Sequence, residues 1–216
     1  MQEFPDTYQH KGLRKRLVEE VQSKGIKDDR ILQALGKIPR HLFMDSGFVK
    51  FSYQDKAFPI GAGQTISQPY TVAFQTELLE IKKGNKVLEV GTGSGYQTAV
   101  LIELGAKVYT IERQKELFVK TRSFLPKLGY NPHFFFGDGY EGKETYGPFE
   151  KILITAGADS IPEKLKKQLT IGGIMVIPVG NRQVQKMIKI KKLSEYEFEE
   201  STHGSFAFVP MLKGTQ

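Results

Sequence analysis

The sequence predicts an α/β fold, with a doubly wound, mostly parallel sheet, an N-terminal helical lobe and antiparallel strands near the C-terminal end. Between residues 86 and 179, short apolar runs alternate with helical patterns, which is typical of a parallel sheet covered by helices. One run ends in three alternate glycines just before a helix, and open α/β folds bind nucleotide-like ligands at such corners. The last stretch contains strand-like runs without helices, which indicates antiparallel additions to the sheet.

Two helices are predicted in the first forty residues. Apolar residues at helical spacing define the first, which ends at Lys24-Gly25. Asp28 or Asp29 is suited to cap the second, and Pro39 ends it. Residues 40–68 look irregular and are too long for an ordinary connection, so we expect either a functional segment or a packed lobe. Pro69 is typical of the first turn of a helix, which we expect to extend to about residue 80.

The rest of the chain supplies the sheet and its covering helices. We expect strands at 86–91, 107–112, 133–137, 150–156 and 173–179, helices at 96–104, 114–125 and 162–169, and tail strands at 184–193, 196–200 and 205–209. No linker divides these segments, so a single domain covers 1–216. Within it we distinguish the N-terminal lobe and substrate loop (1–80), the core (81–180) and the C-terminal strands (181–216).

Composition excludes several classes of protein. The chain has no cysteine, which rules out disulfides, thiolate metal sites and cysteine nucleophiles. No uninterrupted apolar window reaches the length of a membrane span, and the first residues lack signal-peptide features, so we expect a cytoplasmic protein. The four histidines are far apart in sequence without metal-ligand spacing, and no metal site is expected.

The net charge of +7 raises the question of nucleic-acid binding. The lysines are dispersed, and in the densest run, 186–192, most alternate with apolar residues. This pattern favours a strand at the sheet edge with one solvated face, and a nucleic-acid patch is the alternative.

The glycine corner defines the kind of cofactor. Gly91, Gly93 and Gly95 alternate with Thr92 and Ser94, and Tyr96 occupies the position where a dinucleotide fingerprint would place its last glycine. Glycines allow a tight turn and leave no Cβ between the chain and a ligand. The corner therefore suits a nucleotide-like cofactor without a pyrophosphate.

Two carboxylates follow at the ends of the next two strands. Glu112 is placed to accept hydrogen bonds from the two hydroxyls of a ribose. Asp138, between Gly137 and Gly139, is placed to accept from the amino group of an adenine. Either residue alone could be a helix cap or a turn former. In order after the glycine corner, they indicate a site for S-adenosylmethionine.

The stretch 88–96, together with Ile111-Glu112, 137–139 and Gly172-Gly173, resembles the class I S-adenosylmethionine-dependent methyltransferases, which have a Rossmann-like fold. Within that class, residues 59–70 resemble the hallmark segment of the protein-L-isoaspartate (D-aspartate) O-methyltransferase family. The later Phe208-Val209-Pro210 and the helical lobe are similar to that family too. The resemblance covers residues 10–213, and the string from Gln64 to Pro69 is its most specific part.

The resemblance implies an enzyme that transfers a methyl group from S-adenosyl-L-methionine, leaving S-adenosyl-L-homocysteine. The acceptor is the α-carboxylate of L-isoaspartyl residues in damaged proteins, and the methyl ester then collapses to a succinimide. D-aspartyl residues are a further acceptor that the sequence leaves open. The implied partners are isoaspartyl-containing peptides and proteins. No nucleic-acid or membrane partner is expected, and a monomer is expected because no long apolar stripe is left over once the core is assigned. A methyltransferase acting on RNA or a small molecule, and a binding-only relative, are the alternatives.

An acceptor carboxylate is already ionised at pH 7, so it needs no strong general base. By resemblance Ser67 is the active-site serine, and its hydroxyl would orient the acceptor; the alternative is that it caps the following helix. Gln64, Thr65 and Ile66 are expected to line the same loop. Ala207 and Val209 are expected beside the substrate backbone, and Ala207 stands where the family often has a larger or charged residue, which leaves peptide preference open.

Overall fold

The N-terminal part of the chain forms the predicted helical lobe. The structure, a computed structural model, describes residues 5–216. Helix α1 ends just before Gly25, whose φ of +105° suits only glycine, and the Asp28 carboxylate caps α2 by accepting from the Arg30 amide. The lobe consists of α1 (Tyr8–Ser23), α2 (Asp29–Lys37), α3 (Pro69–Leu79) and a two-stranded hairpin, β1 (Phe58–Gly61) and β2 (Gln64–Ile66).

The segment predicted as irregular, residues 40–68, is ordered by short elements. Two 3-10 turns, Arg40–Phe43 and Ser46–Phe51, lead into the antiparallel hairpin. Glycine, proline and charged residues interrupt the apolar residues of these short elements, which is why the pattern did not reveal them. Ile60 of β1 lies against the glycine corner, since a Cβ on Gly93 would lie 3.5 Å from its Cδ1 atom.

The centre of the molecule is a seven-stranded sheet in the order β5-β4-β3-β6-β7-β8-β9. The first five strands in this order are parallel, and β8 and β9 add antiparallel to β7, as predicted. The strands are β3 (Lys86–Val90), β4 (Lys107–Glu112), β5 (His133–Phe136), β6 (Phe149–Ile154), β7 (Leu169–Gly180), β8 (Gln185–Lys192) and β9 (Phe198–Phe206).

Three helices connect the parallel strands: α4 (Tyr96–Glu103), α5 (Lys115–Phe124) and α6 (Glu163–Lys167). After β3 the chain builds outward through β4 and β5, and it then returns to place β6 on the other side of β3. Ligands of open α/β sheets bind at this kind of reversal, beyond the carboxyl ends of the strands. Val90 pairs with Ile111 and with Ile154, so the ends of β3, β4 and β6 lie side by side there.

Apolar side chains bury both faces of the sheet. Val87 of β3 belongs to the larger cluster, which includes the N-terminal lobe and α4. Its neighbour Leu88 points to the opposite cluster, which includes Leu165 of α6. Because β3 is buried on both faces from Val87 to Val90, these residues read as a nearly continuous apolar run.

Three expectations about the second half of the chain are wrong. The tail strands predicted at 196–200 and 205–209 are one strand, β9, because a bulge near Gly204 (φ +64°) lets the pairing with β8 continue to Phe206. The helix predicted at 162–169 ends at Lys167, and the next strand begins at Leu169, which pairs with Phe149. The lysine-rich β8 is not at the edge of the sheet, since β9 covers it.

Within residues 5–216 there is no helix long and apolar enough to cross a membrane.

Candidate active site

A cavity lies beyond the carboxyl ends of β3, β4 and β6. The glycine corner and the end of β4 form one wall, and the segment 64–67 forms another. Thr155, Ala156 and the residues 209–212 also line the cavity. Residues widely separated in sequence therefore meet at the reversal of strand order, where the fold places a ligand.

The glycine corner has the backbone that its sequence predicts. Gly91 has a φ of +99°, and a Cβ at this position would clash with the Thr155 hydroxyl, which donates to the carbonyls of Val90 and Gly91. Gly95 has a φ of +83°, and a Cβ there would lie 2.8 Å from Leu125. Only glycine fits both positions. Residues 91–94 line the cavity, whereas Gly95 is not among its lining residues.

Glu112 holds the glycine corner and lines the cavity. One of its carboxylate oxygens accepts from the Gly93 amide at 2.8 Å, and the other accepts from the Gln114 amide at 2.8 Å. The residue is only 4% exposed, so its orientation is fixed by these two bonds. Each oxygen keeps a further lone pair, which is what two ribose hydroxyls would require.

The carboxylate at the end of the next strand has a different setting. Asp138 accepts from the Tyr140 amide at 2.8 Å and from the Gly214 amide at 2.6 Å. Gly139 lines the cavity, whereas Gly137 and Asp138 are not among its lining residues. The structure thus brings the 137–139 turn to the cavity through Gly139, and the adenine contact of Asp138 stays a prediction.

Ser67 lies where the cavity meets a second depression. This groove is lined by Ser67 and by Thr65, Gln68, Tyr70, Thr71, Thr155 and residues 205–209. Ala207 lies in the groove only, Gln64 and Ile66 line the cavity only, and Thr65 and Val209 line both. All five predicted substrate residues are therefore grouped around Ser67.

The alternative role of Ser67 as a helix cap is wrong. Helix α3 begins at Pro69 with Gln68 as its N-cap residue, and the Tyr70 amide donates to the Asp55 carboxylate at 2.8 Å. The capping group thus comes from a loop in the preceding part of the chain. Neither Asp55 nor its buried neighbour Arg40 was singled out from the sequence, because a lone polar residue in a polar stretch carries no periodic signal.

Glu89 lies completely buried beneath the glycine corner. Its carboxylate accepts from the Thr98 hydroxyl at 2.5 Å and from the Thr110 hydroxyl at 2.7 Å, and Thr110 is in turn 2.6 Å from the Thr92 hydroxyl. Burial raises the pKa of Glu89 to about 7, although the two hydroxyl donors act in the opposite direction. The signal in the sequence was a single acidic residue inside an apolar strand.

Two of the four histidines, which are far apart in sequence, come together in the fold. The rings of His10 and His41 stack at 4.0 Å, and the Asp6 carboxylate lies close enough for the three to be a candidate cation site. Arg14 already binds both Asp6 oxygens at 2.9 Å and lowers the pKa of that carboxyl. None of these residues lines the cavity or the groove.

Comparison with known proteins relates the whole described fold to one family. The family model described as protein-L-isoaspartate(D-aspartate) O-methyltransferase matches residues 12–216. A protein-L-isoaspartate O-methyltransferase of Christiangramia forsetii is 62% identical over 209 residues, which cover 96% of this chain and 98% of the relative.

Solved structures agree with this relationship. A protein-L-isoaspartate O-methyltransferase structure matches with a TM-score of 0.82 and 28% identity; the match covers 91% of this chain but only 65% of the solved chain. A Plasmodium falciparum protein of the same description, in complex with S-adenosyl-L-homocysteine, matches with a TM-score of 0.79 and 26% identity over 93% of this chain and 99% of its own.

The reversed strand order, the glycine corner and the carboxylate at the end of β4 define a Rossmann-like methyltransferase. Within that class, the chain belongs to the protein-L-isoaspartate (D-aspartate) O-methyltransferase family. The resemblance inferred from the sequence is thereby confirmed.

Proposed function

We propose that this protein transfers a methyl group from S-adenosyl-L-methionine to the α-carboxylate of L-isoaspartyl residues in damaged proteins, and so starts their repair through a succinimide. The observation that carries the proposal is the place of Ser67, at the junction between a cavity with a glycine corner and an open groove. Family membership supports the same reaction. D-aspartyl acceptors, which the family description includes, are a second substrate to test.

The cavity fits the proposed cofactor. Residues 91–94 of the glycine corner line one wall, and beside them stands the Glu112 carboxylate, which the Gly93 and Gln114 amides hold in place. In our proposal the loop Gly91, Thr92, Gly93, Ser94 and Gly95 holds the methionine portion and Glu112 holds the ribose. Asp138, flanked by Gly137 and Gly139, would lie at the adenine end. When bound, the cofactor supplies an electrophilic methyl group on a sulfonium.

The residues of the chain would act by orientation. Because the acceptor carboxylate is ionised at neutral pH, no side chain has to remove a proton. The Ser67 hydroxyl would donate to one carboxylate oxygen and hold the other towards the cavity, while Gln64, Thr65 and Ile66 shape the loop around it. Orientation of two reactants supplies about 7–11 kcal/mol in favourable cases, so positioning is a sufficient source of catalysis.

The groove would receive the substrate peptide along residues 205–209. Two hydrogen bonds to other parts of the fold hold this segment in place. The Phe208 amide donates to the Gln185 side chain at 2.8 Å, and the Gly157 amide donates to the Val209 carbonyl at 2.8 Å. Ala207 and Val209 would then lie beside the residues that flank the isoaspartyl group. The small Ala207 leaves room there for bulky flanking side chains.

We further propose a cytoplasmic monomer of one domain (1–216) that acts on protein and not on nucleic acid or membranes. Three of the four lysines in the dense run have carboxylates beside or opposite them, which supports this: Lys189 pairs with Glu80, Lys192 pairs with Glu195, and β9 places Glu199 opposite Lys191. A cysteine-free chain also has no need of an oxidising compartment.

The test supplies methyl-labelled S-adenosylmethionine with an isoaspartyl peptide, its normal aspartyl isomer, a D-aspartyl peptide and bulk RNA. We expect base-labile label on the isoaspartyl peptide and none on the normal isomer, because a methyl ester is hydrolysed by base. Label on RNA alone, or on no substrate, would contradict the proposal. The D-aspartyl arm decides the second substrate separately.

A further inference from the structure

We propose that Asp55 is a positioning residue of the acceptor site, and that its buried carboxylate fixes the backbone on which Ser67 is carried. This inference rests on the proposed function, because it concerns the orientation of the proposed acceptor by Ser67. It assigns a role in the reaction to a residue of the N-terminal lobe that lines neither the cavity nor the groove.

Asp55 holds the chain immediately after Ser67 at two points. Its Oδ2 atom accepts from the Gln68 side-chain amide at 2.9 Å, and its Oδ1 atom accepts from the Tyr70 backbone amide at 2.8 Å. Gln68 follows Ser67 directly, and Pro69 between the two anchor points has a restricted φ. The contacts of one carboxylate therefore fix the chain between Ser67 and the first turn of helix α3.

The carboxylate is itself fixed by burial and charge. The Asp55 side chain is 2% exposed, and Lys24 at the end of α1 donates to its Oδ2 atom at 2.5 Å. A buried carboxylate with three donors is strongly restrained, because every alternative orientation would leave it unpaired. Helix α1 thus contributes to the acceptor site through Lys24, its C-cap residue, which pairs with Asp55.

Arg40 fixes the loop that carries Asp55. Its completely buried guanidinium donates to the Ser52 carbonyl at 3.1 Å and to the Lys56 carbonyl at 3.2 Å, so it bridges the loop on both sides of Asp55. The same guanidinium lies over the ring of Tyr96, 4.7 Å from its centroid, and Tyr96 lines the cavity. A continuous set of buried contacts therefore connects the cavity wall with the Ser67 segment.

A purely structural role for Asp55, as the cap of α3, makes a different prediction. Loss of a helix cap lowers stability wherever the helix lies, whereas loss of a positioning group lowers turnover without a matching loss of cofactor affinity. Asp28 provides the matched control, because its carboxylate caps α2 through the Arg30 amide at 2.9 Å and lines neither the cavity nor the groove.

The experiment compares Asp55→Ala, Asp55→Asn and Asp28→Ala with the unchanged chain. For Asp55→Ala we expect kcat on an isoaspartyl peptide to fall about 100-fold, the loss typical of a reacting group displaced by about 1 Å. For Asp55→Asn we expect about a tenfold loss, because the side-chain oxygen can still accept from the Tyr70 amide. The dissociation constant for S-adenosyl-L-homocysteine, measured by calorimetry, should change less than about twofold in both variants.

A measurement that does not depend on activity accompanies the kinetics. Hydrogen exchange of the Tyr70 amide, followed by NMR, should accelerate in Asp55→Ala and stay unchanged in Asp28→Ala. The proposal is overturned if Asp55→Ala keeps its kcat or if exchange of the Tyr70 amide does not change in this variant. It is also overturned if both alanine variants lose stability and lose turnover and cofactor affinity to the same extent. Absence of methylation by the unchanged chain would instead refute the proposed function, and the exchange data would still decide whether Asp55 holds the segment.

Discussion

At the scale of single residues, Ser67 lines both the cavity and the groove, as Thr65 and Thr155 also do, and it does not serve as the helix cap of α3. We expect Ser67→Ala to lower kcat on an isoaspartyl peptide about 100-fold, because a misoriented acceptor loses most of the benefit of proximity. Affinity for S-adenosyl-L-homocysteine should be unchanged. Steady-state kinetics and calorimetry measure the two quantities.

Ser123→Ala is the control for that substitution, since the Ser123 hydroxyl donates only to the Lys120 carbonyl on an exposed part of α5. Its turnover should match that of the unchanged chain. An equal loss of turnover and cofactor affinity in Ser67→Ala would assign Ser67 to the cavity alone and would contradict its orienting role.

Glu89 provides a prediction about pH. Burial raises its pKa from 4.5 to about 7, so the folded state binds a proton more readily than the unfolded state. Its contribution to stability is therefore complete below pH 4.5 and is lost as pH rises through 7. We expect the melting temperature of the unchanged chain to decline between pH 5 and pH 8, and to decline less steeply in Glu89→Gln. Thermal unfolding across a pH series measures both slopes, and identical slopes would contradict the prediction.

The sequence predicted residues whose chemistry is local and missed those whose partners are distant. Glu112 was recognisable because it ends a strand, and its distance from the glycine corner follows from the pairing of β3 with β4. Asp55 was not, because its role depends on the Tyr70 amide, which is fifteen positions away across an irregular segment. The Gly214 amide that donates to Asp138 was hidden for the same reason, because Gly214 lies far along the chain.

At the scale of elements, the glycine corner is where the backbone limits the choice of side chain most strictly. In Gly91→Ala, the new Cβ clashes with Thr155 and the positive φ is strained. We expect affinity for S-adenosyl-L-homocysteine to fall at least about tenfold, together with a loss of about 1–3 kcal/mol of stability. Calorimetry and thermal unfolding measure the two effects.

Gly84→Ala separates the two contributions. Gly84 has a φ of +88°, but a Cβ there would have no neighbour within 4 Å and the residue does not line the cavity. This control should lose stability through strain and keep its cofactor affinity. If both variants lost affinity equally, the corner would not be the cofactor site.

Elements with a sustained period were the ones that the sequence could predict. The long apolar run of β3 and the amphipathic α2 are found within one or two residues of their expected limits. The hairpin of β1 and β2 was missed because its short strands contain proline, glycine and polar residues and have no apolar run like the three phenylalanines of β5. In β9 the polar stretch around His203 looked like a break, although it continues the pairing with Met187 across a bulge.

At the scale of the whole molecule, the N-terminal lobe and the segment that follows β9 meet at the carboxyl ends of the central strands. The N-terminal lobe supplies Ser67 and the contacts that hold it, and the tail supplies Val209 and Met211 to the cavity wall. The sheet itself supplies the glycine corner and Glu112. Strand patterns predicted this central part. The positions of residues 64–67 and 209–212 in the cavity wall follow only from tertiary packing.

A substitution of Lys151 should change the stability of the protein without changing the cavity or the groove, because Lys151 lines neither. Lys151 lies on β6 and is 7% exposed, and burial lowers the pKa of its ammonium to about 8. Repulsion from Lys189 and Lys82 also lowers this pKa, whereas the Glu80 carboxylate raises it. Since the unfolded state keeps its proton up to its ordinary pKa of 10.5, stability should rise as pH increases from 8 towards 10.5.

Lys151→Met removes the buried charge, so it should raise the melting temperature at pH 7 by about 2–4 °C, the shift expected for about 1 kcal/mol in a chain of this length. The advantage should shrink as pH approaches 10, because the unchanged chain then loses the charge as well. Lys107→Met, at an exposed position of β4, should shift the melting temperature little at any pH. Methyl transfer to an isoaspartyl peptide should be equal in all three proteins, because neither lysine lines the cavity or the groove. A pH-independent gain in Lys151→Met would show that packing, and not the buried charge, limits stability at this position.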